Sequence, residues 1–451
     1  MTNIPQPSTL AKTVQLIFLL MLFAGVVYLC YIINCIDGCG PYHNTTSVAD
    51  LDGDGDLDVV LFNRRHEENA YIIWAGTTLW TNLDGGGFTP EGLTLPELPP
   101  DAYYDTVTGD VDNDGSADLV LLAFNQLRFY LNHGGIPEWK TSLFRMRDSI
   151  HGGEEQGLSG TVVLGDLDGD GDLDGFVAGC CGIVLYPSGE RTYRPSYSWV
   201  WINEKKDGGQ LKGHSISLRE TGDLAVRQAA LGDLDGDGDL DVYAAIVASK
   251  LTSAEAPADR VLLNDGSGDF HDSGQRLAPT DQLRSAVGGL DHWLRGLFNI
   301  QKGNGPDQVG STAAALGDLD GDGDLDVLAG NRGGVQIWIN QGGEQGGQAG
   351  IFTPAGQRIP GGPTEGVFLA DLDGDGDPDA LVAGRTWAAV WWNDGQGEFR
   401  DSGQRLRYNE RYGLAIGDFN GDGYPDVFSS AYDIGFHLWL NQGDGRLQEG
   451  N

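Results

Sequence analysis

The chain is 451 residues long, with 66 acidic side chains against 28 lysines and arginines and a formal net charge of −38. Of the acidic residues, 32 fall in seven nine-residue segments; outside these, 34 face 28 basic ones, close to balance. The charge is therefore a set of local sites rather than an acidic surface, and with no basic stripe to neutralise phosphates it excludes nucleic acid as a partner.

Residues 1–13 carry Lys12 and lead into a run from Val14 to Ile33, about 20 residues, mostly apolar and uncharged, long enough to span a bilayer. A cleaved signal peptide has a shorter apolar core and a small-residue cleavage site, which Asn34-Cys35-Ile36-Asp37 does not offer. Residues 14–34 are expected to form a transmembrane signal anchor, with 1–13 cytoplasmic, 35–42 a linker and 43–451 outside the cell membrane. Cleavage and secretion are the alternative. Of the five cysteines, Cys30 lies in the apolar run, Cys35 and Cys39 follow it, and Cys180-Cys181 are adjacent. A vicinal disulfide, two thiols, and pairing with Cys35 and Cys39 all remain open. Asn44-Thr45-Thr46 is a glycosylation sequon.

The string Asp-Leu-Asp-Gly-Asp-Gly-Asp-Leu-Asp then occurs four times, from Asp50, Asp166, Asp233 and Asp318, and variants starting at Asp110, Asp371 and Asp418 keep its frame. Positions 1, 3, 5, 7 and 9 are Asp50, Asp52, Asp54, Asp56 and Asp58 in the first copy, and Asp110, Asp112, Asp114, Ser116 and Asp118 in the second. The third has Asp166, Asp168, Asp170, Asp172 and Asp174; the fourth Asp233, Asp235, Asp237, Asp239 and Asp241. The fifth has Asp318, Asp320, Asp322, Asp324 and Asp326; the sixth Asp371, Asp373, Asp375, Asp377 and Asp379; the seventh Asp418, Asn420, Asp422, Tyr424 and Asp426.

Alternate carboxylates with glycine at position 6 wrap a hard cation. An EF-hand would close with Glu at position 12, where these copies have Leu61, Leu121, Val177, Ala244, Ala329, Val382 and Ser429. Side chains 1, 3, 5 and 9 with the backbone carbonyl at 7 make an oxygen set suited to Ca²⁺, up to seven ions in a structural role. No thiolate or imidazole lies within the loops, which argues against zinc and copper.

A second tag follows each loop: an apolar or aromatic run ending in Asn82, Asn132, Asn203, Asn264, Asn340, Asn393 or Asn441. Such runs read as strands closed by Asn/Gly turns. Each unit offers four strands at a period near 50 residues, with the acidic loop between the first and second, and repetition of such units is an all-β propeller, here with seven blades. The loop-to-Asn separations are 32, 37 and 31 residues in blades 1, 3 and 4 against 22 or 23 elsewhere, and 54 residues separate Asn264 from Asp318. By strand alternation these insertions share the face opposite the acidic loops. Within the longest, Leu283, Val287, Leu290, Leu294 and Phe298 have helical spacing, interrupted by Gly288-Gly289.

On that face the sequence places Arg64, Arg65 and His66 in the second-to-third-strand loop of blade 1, and Tyr193, Arg194 and Tyr197 in that of blade 3. Arg332, Arg385, Trp387 and Tyr432 begin the corresponding loops of blades 5 to 7. Rings that stack on sugars beside hydrogen-bonding cations would form a ligand site; covering the channel mouth is the other reading. There is no His-Glu-x-x-His, nucleophile elbow, phosphate loop or dinucleotide glycine pattern. Glu154-Glu155, after His151-Gly152-Gly153, reads as a solvated loop.

The stretch from Tyr412 to Asp426 resembles the FG-GAP repeat of the integrin α-subunit propeller, and Val177-Ala178-Gly179 and Val382-Ala383-Gly384 resemble the element after its calcium loop. Bacterial FG-GAP/VCBS-type repeat proteins, and fungal lectins of this architecture, are closer still. The resemblance covers residues 43 to 449 and implies a calcium-binding propeller. The function expected is recognition of a glycan or protein ligand at a membrane surface, in adhesion. A polysaccharide lyase or hydrolase on the same scaffold, or a structural surface subunit, is the alternative.

Overall fold

The computed structural model describes residues 46–450 except 67–72, 84–85, 92–103, 124–125, 135–139, 146–153, 180, 186–190, 195–197, 205–210, 212, 219–224, 248–257, 279–309, 344–345, 385, 408–412 and 432–434. The expected anchor at 14–34 and the helical spacing at 283–298 lie outside them. Among the described residues no helix is long and apolar enough to cross a membrane.

The seven four-stranded antiparallel units are present, each in simple sequence order. Blade 1 is Thr46–Ala49, Asp58–His66, Ile73–Leu83 and Gly87–Glu91; blade 2 is Tyr104–Gly109, Asp118–Ala123, Gln126–Leu131 and Lys140–Arg145. Blade 3 is Val162–Gly165, Asp174–Val177, Ser198–Asn203 and Gly213–Leu218; blade 4 is Ala225–Gly232, Asp241–Val247, Arg260–Asn264 and Phe270–Asp272. Blade 5 is Ala313–Gly317, Asp326–Asn331, Gly334–Asn340 and Phe352–Pro360; blade 6 is Thr364–Ala370, Asp379–Gly384, Trp387–Asn393 and Phe399–Arg407. Blade 7 is Leu414–Gly417, Asp426–Ala431, Gly435–Asn441 and Leu447–Glu449. First strands of neighbouring blades approach one another around the axis, those of blades 6 and 7 excepted.

The second strands of blades 4, 5 and 6 are buried throughout. They are covered on both faces by adjacent blades, which is why they read as unbroken apolar runs rather than alternating ones. Phe176 and Val200 of blade 3, for example, share a core with Val226, Val242 and Phe270 of blade 4. The blades pack closely where the first strand enters its loop. A Cβ on Gly165 or Gly232 would lie 2.7 Å from Leu240 or 2.5 Å from Leu325, the eighth loop residue of the following blade. Where alanine replaces that glycine, at Ala49 and Ala370, the next loop carries Ala117 and Pro425 instead of leucine, so volume is kept across the joint.

The ring closes without strand exchange. The first strand of blade 1 lies beside that of blade 7, and Val59, Leu61, Phe419, Phe428 and Leu438 form one core across the joint. Phe88 is wedged edge-on against Phe419, Phe428 and Phe436, with centroids 5.8, 5.3 and 5.4 Å away.

Two insertions that read as loops form strands. Glu154–Ser159 pairs with Cys181–Leu185, which pairs in turn with Arg191–Arg194, making an eighth, three-stranded sheet. The extra residues of blade 1 prolong its second and third strands into a long hairpin, paired from Val59↔Trp80 to His66↔Ile73.

Candidate metal centres and the opposite face

Each acidic loop is organised by its own backbone. The amide at position 6 donates to the carboxylate at position 1 in all seven copies, at 2.8–3.1 Å. The amide at position 7 donates to the carboxylate at position 5, at 2.9–3.0 Å. The chain must turn left-handed to do this, and the glycines at position 6 have φ between 89° and 100°, a region costly to residues with a β-carbon. At position 4 of the second loop Asn113 takes φ 55°, the one non-glycine with positive φ among the described residues.

The aspartate at position 9 has a different task. Asp58, Asp118, Asp174, Asp241, Asp326, Asp379 and Asp426 are all fully buried. One oxygen accepts the amide of loop position 2, at 2.8–3.1 Å. The other accepts the backbone amide of the Asn that ends the third strand, at 2.7–2.9 Å. Burial nevertheless dominates, and pushes Asp58, Asp174, Asp241 and Asp426 to about 6 and Asp118, Asp326 and Asp379 to about 7, with like charges in the loop adding to the shift.

The terminal Asn supplies a link that its turn chemistry does not announce. Its side-chain amide reaches back to the carbonyl of position 2 in the preceding blade's loop, at 2.7–2.9 Å: Asn132 to Leu51, Asn203 to Val111, Asn264 to Leu167, Asn340 to Leu234, Asn393 to Leu319 and Asn441 to Leu372. Asn82 to Phe419 completes the circle. A further tag, Gly-Gln-Arg followed by Leu or Ile at 274–277, 356–359 and 403–406, stitches the outer strands. Gln275 accepts from Phe352 at 2.9 Å, Gln357 from Phe399 at 2.7 Å and Gln404 from Leu447 at 2.9 Å, while each donates to the next blade's backbone.

The loops can hold metal ions. In at least four of them one oxygen each from positions 1, 3 and 9 lies within 4.8 Å of the others, as in Asp50, Asp52 and Asp58. Asp166 Oδ1, Asp235 Oδ1 and Asp373 Oδ1 are buried with no hydrogen-bond partner, a loss that a cation at the centre of the loop would make good. At position 3, burial and then neighbouring carboxylates or the backbone act on Asp52, Asp168, Asp235 and Asp373, all held above the usual carboxylate range. An oxygen-only donor set suits a hard cation. The second loop is an exception that its nine residues hide: His133, just past its terminal Asn, brings Nδ1 to 2.6 Å from Asp114 Oδ2.

On the opposite face the expected ligand residues are not gathered in irregular loops. Arg64 and His66 belong to the prolonged second strand of blade 1, and Tyr193 and Arg194 to the outermost strand of the added sheet. Arg332 sits in the two-residue turn between Asn331 and Gly334. Trp387 opens the third strand of blade 6, half-buried, its ring against Gly361 and Gly384. Arg385 and Tyr432 lie outside the described residues.

No curated protein matches the sequence significantly. Among solved structures, an Agrocybe aegerita lectin that recognises non-reducing terminal N-acetylglucosamine is 16% identical, with 86% of this chain and 92% of that one covered and a TM-score of 0.48. BBS1N, solved in complex with ARL6DN, is 10% identical over 88% and 91%, TM-score 0.46. The Vibrio cholerae (V. cholerae) biofilm matrix protein Bap1 is 14% identical over 90% and 86%, TM-score 0.41. The FG-GAP-like repeat matches residues 50–121, 110–177, 318–382 and 371–429, more than half of the chain taken together, which therefore belongs to the FG-GAP-like repeat family.

Proposed function

We infer that this chain is a calcium-bound recognition propeller, anchored to the cell membrane by residues 14–34 with the propeller outside, and that it binds a glycan or protein ligand through the face away from the calcium loops. Calcium fits the oxygen-only loops better than magnesium, which demands a tighter octahedron and keeps its waters. Ions seated between the first two strands of each blade neutralise the clustered carboxylates and hold the rim in shape.

The observation that carries the reading is the added β-structure. The hairpin of blade 1 and the three-stranded sheet at 154–194 both extend the propeller on the same face. A scaffold that elaborates one face and leaves the other as seven near-identical loops presents the elaborated face for binding. Arg64, His66, Tyr193 and Arg194 stand on those strands.

The full chain, probed against glycan and protein arrays in calcium and in chelator, is expected to find a ligand whose binding weakens at least tenfold in Arg64→Ala/Arg194→Ala. A ligand retained by that variant would displace the site from this face; no ligand on any array would remove the recognition role.

A further inference from the structure

The second blade departs from the other six at three places together. Its loop has Ser116 where five loops have aspartate, and Asn113 where six have glycine. Its terminal Asn is followed by His133, where the others have Leu83, Glu204, Asp265, Gln341, Asp394 and Gln442.

These changes are spatially connected. In blades 4, 5 and 6 the carboxylate at position 7 sits against a glycine of its own blade's turn: Asp239 by Gly266, Asp324 by Gly342 and Asp377 by Gly395. Serine cannot reach as far. In blade 2 the imidazole comes down from the turn instead, with Nδ1 2.6 Å from Asp114 Oδ2 and 3.9 Å from Asp112 Oδ2. One donor atom from each of Asp112, Asp114 and His133 lies within 4.8 Å of the other two. Asp112 also belongs to the oxygen group of Asp110 and Asp118, so the imidazole opens onto the same pocket.

We propose that the second loop is a mixed nitrogen–oxygen site, with His133 as a ligand beside Asp112 and Asp114, and that it selects a borderline transition dication, Zn²⁺, over calcium. Calcium draws its affinity from the number and charge of its oxygens. This loop gives up one carboxylate and gains a neutral imidazole, a trade that weakens calcium and favours the later first-row metals. On binding, the close contact between Nδ1 and Asp114 gives way to the ion, to which the imidazole offers a nitrogen lone pair and the carboxylate an oxygen. The other six loops keep oxygen donors alone, so the chain carries two classes of site. The inference takes its setting from the cation reading of the loops, but not the identity of their ion.

The test is metal analysis of the full chain after dialysis against millimolar calcium with limiting zinc, and the visible absorption of the same sample with Co²⁺ in place of zinc. One zinc equivalent should survive excess calcium, and cobalt should give a ligand-field band of nitrogen–oxygen coordination. His133→Ala and His133→Gln should weaken zinc at least tenfold and abolish the band while leaving the remaining calcium content unchanged; an unaltered far-UV spectrum checks that both fold. Zinc displaced by calcium, or retained equally by either variant, overturns the proposal. Calcium bound without selective zinc removes this site and leaves the calcium reading standing. Zinc bound through His133 without calcium elsewhere does the reverse.

Discussion

The side-chain amide of Asn82 donates to the backbone carbonyl of Phe419 at 2.8 Å, joining residues 337 positions apart. Six other asparagines make the same bond between blades that are already consecutive in the chain. At this one joint covalent connectivity offers no help and no strand is exchanged, so the circle is held by this amide, by the aromatic wedge of Phe88 and by the shared core of Val59, Leu61, Phe419, Phe428 and Leu438. Replacing Asn82 by Ala leaves a buried carbonyl without its donor, which costs about 2 kcal/mol. The urea midpoint of Asn82→Ala should fall accordingly; a change under about 0.5 kcal/mol, within the range of ordinary surface substitutions, would mean that closure does not depend on this bond.

Phe88 fills the joint from the outer strand of blade 1, so Phe88→Ala opens a cavity between the first and last blades. A loss of about 3 kcal/mol follows from the aromatic volume removed. Phe88→Leu should recover more than half of it. Unfolding followed by tryptophan fluorescence reads both, and equal stability of the two variants would place the joint's strength elsewhere.

Removing the metal should destabilise the whole disc. An ion bound only by the native state adds about 2.7 kcal/mol per site at a hundredfold excess over its Kd, and several loops act in parallel. Calorimetry with and without chelator should show Tm falling by well over ten degrees. An unchanged Tm, with no calcium found by metal analysis, would remove the cation reading of the loops.

The pH dependence of the stripped protein has a definite sign. The ninth-position aspartates titrate at about 6 to 7 in the fold, raised first by burial, against about 4 in an unfolded chain. The folded state therefore holds more protons between these values. The favourable contribution is fully present below about pH 4 and is lost as pH rises through 7. In chelator, unfolding free energy from these groups should decline from pH 4.5 to 7.5; with calcium, protons and metal compete and the slope should reverse. Identical slopes in both conditions would contradict the burial argument.

Much of this was legible in the sequence because it is periodic. The nine-residue frame and the terminal Asn gave seven four-stranded blades and the side on which insertions emerge. What spans blades was not legible. Nothing local in Asn82 points to Phe419, and Gly-Gln-Arg reads as a turn until its amide is seen bridging two outer strands. Glu154–Ser159 lacks an apolar alternation and becomes a strand only because Cys181–Leu185 offers it an edge. His133 escaped as a ligand because it follows the loop by fifteen residues, counted from Asp118, and only the turn's fold returns it.

The frame and the ligand role of the loop can be separated by two substitutions in blade 5. Asp326, at position 9, is fully buried and accepts the amides of Leu319 and Asn340 at 3.0 and 2.8 Å. Alanine there strands two buried donors, a loss of about 3 kcal/mol that needs no metal to be felt. Asp322, at position 5, accepts one half-buried amide and keeps a buried Oδ2 unpaired, among carboxylates that repel it. Alanine at that position relieves repulsion in the stripped protein and removes a ligand from the loaded one. In chelator, Asp326→Ala should therefore be strongly destabilised while Asp322→Ala stays at or above wild type. In calcium both should fall below it. If Asp326→Ala matched wild type in chelator, the ninth aspartate would be a ligand only and the loops would not form part of the frame.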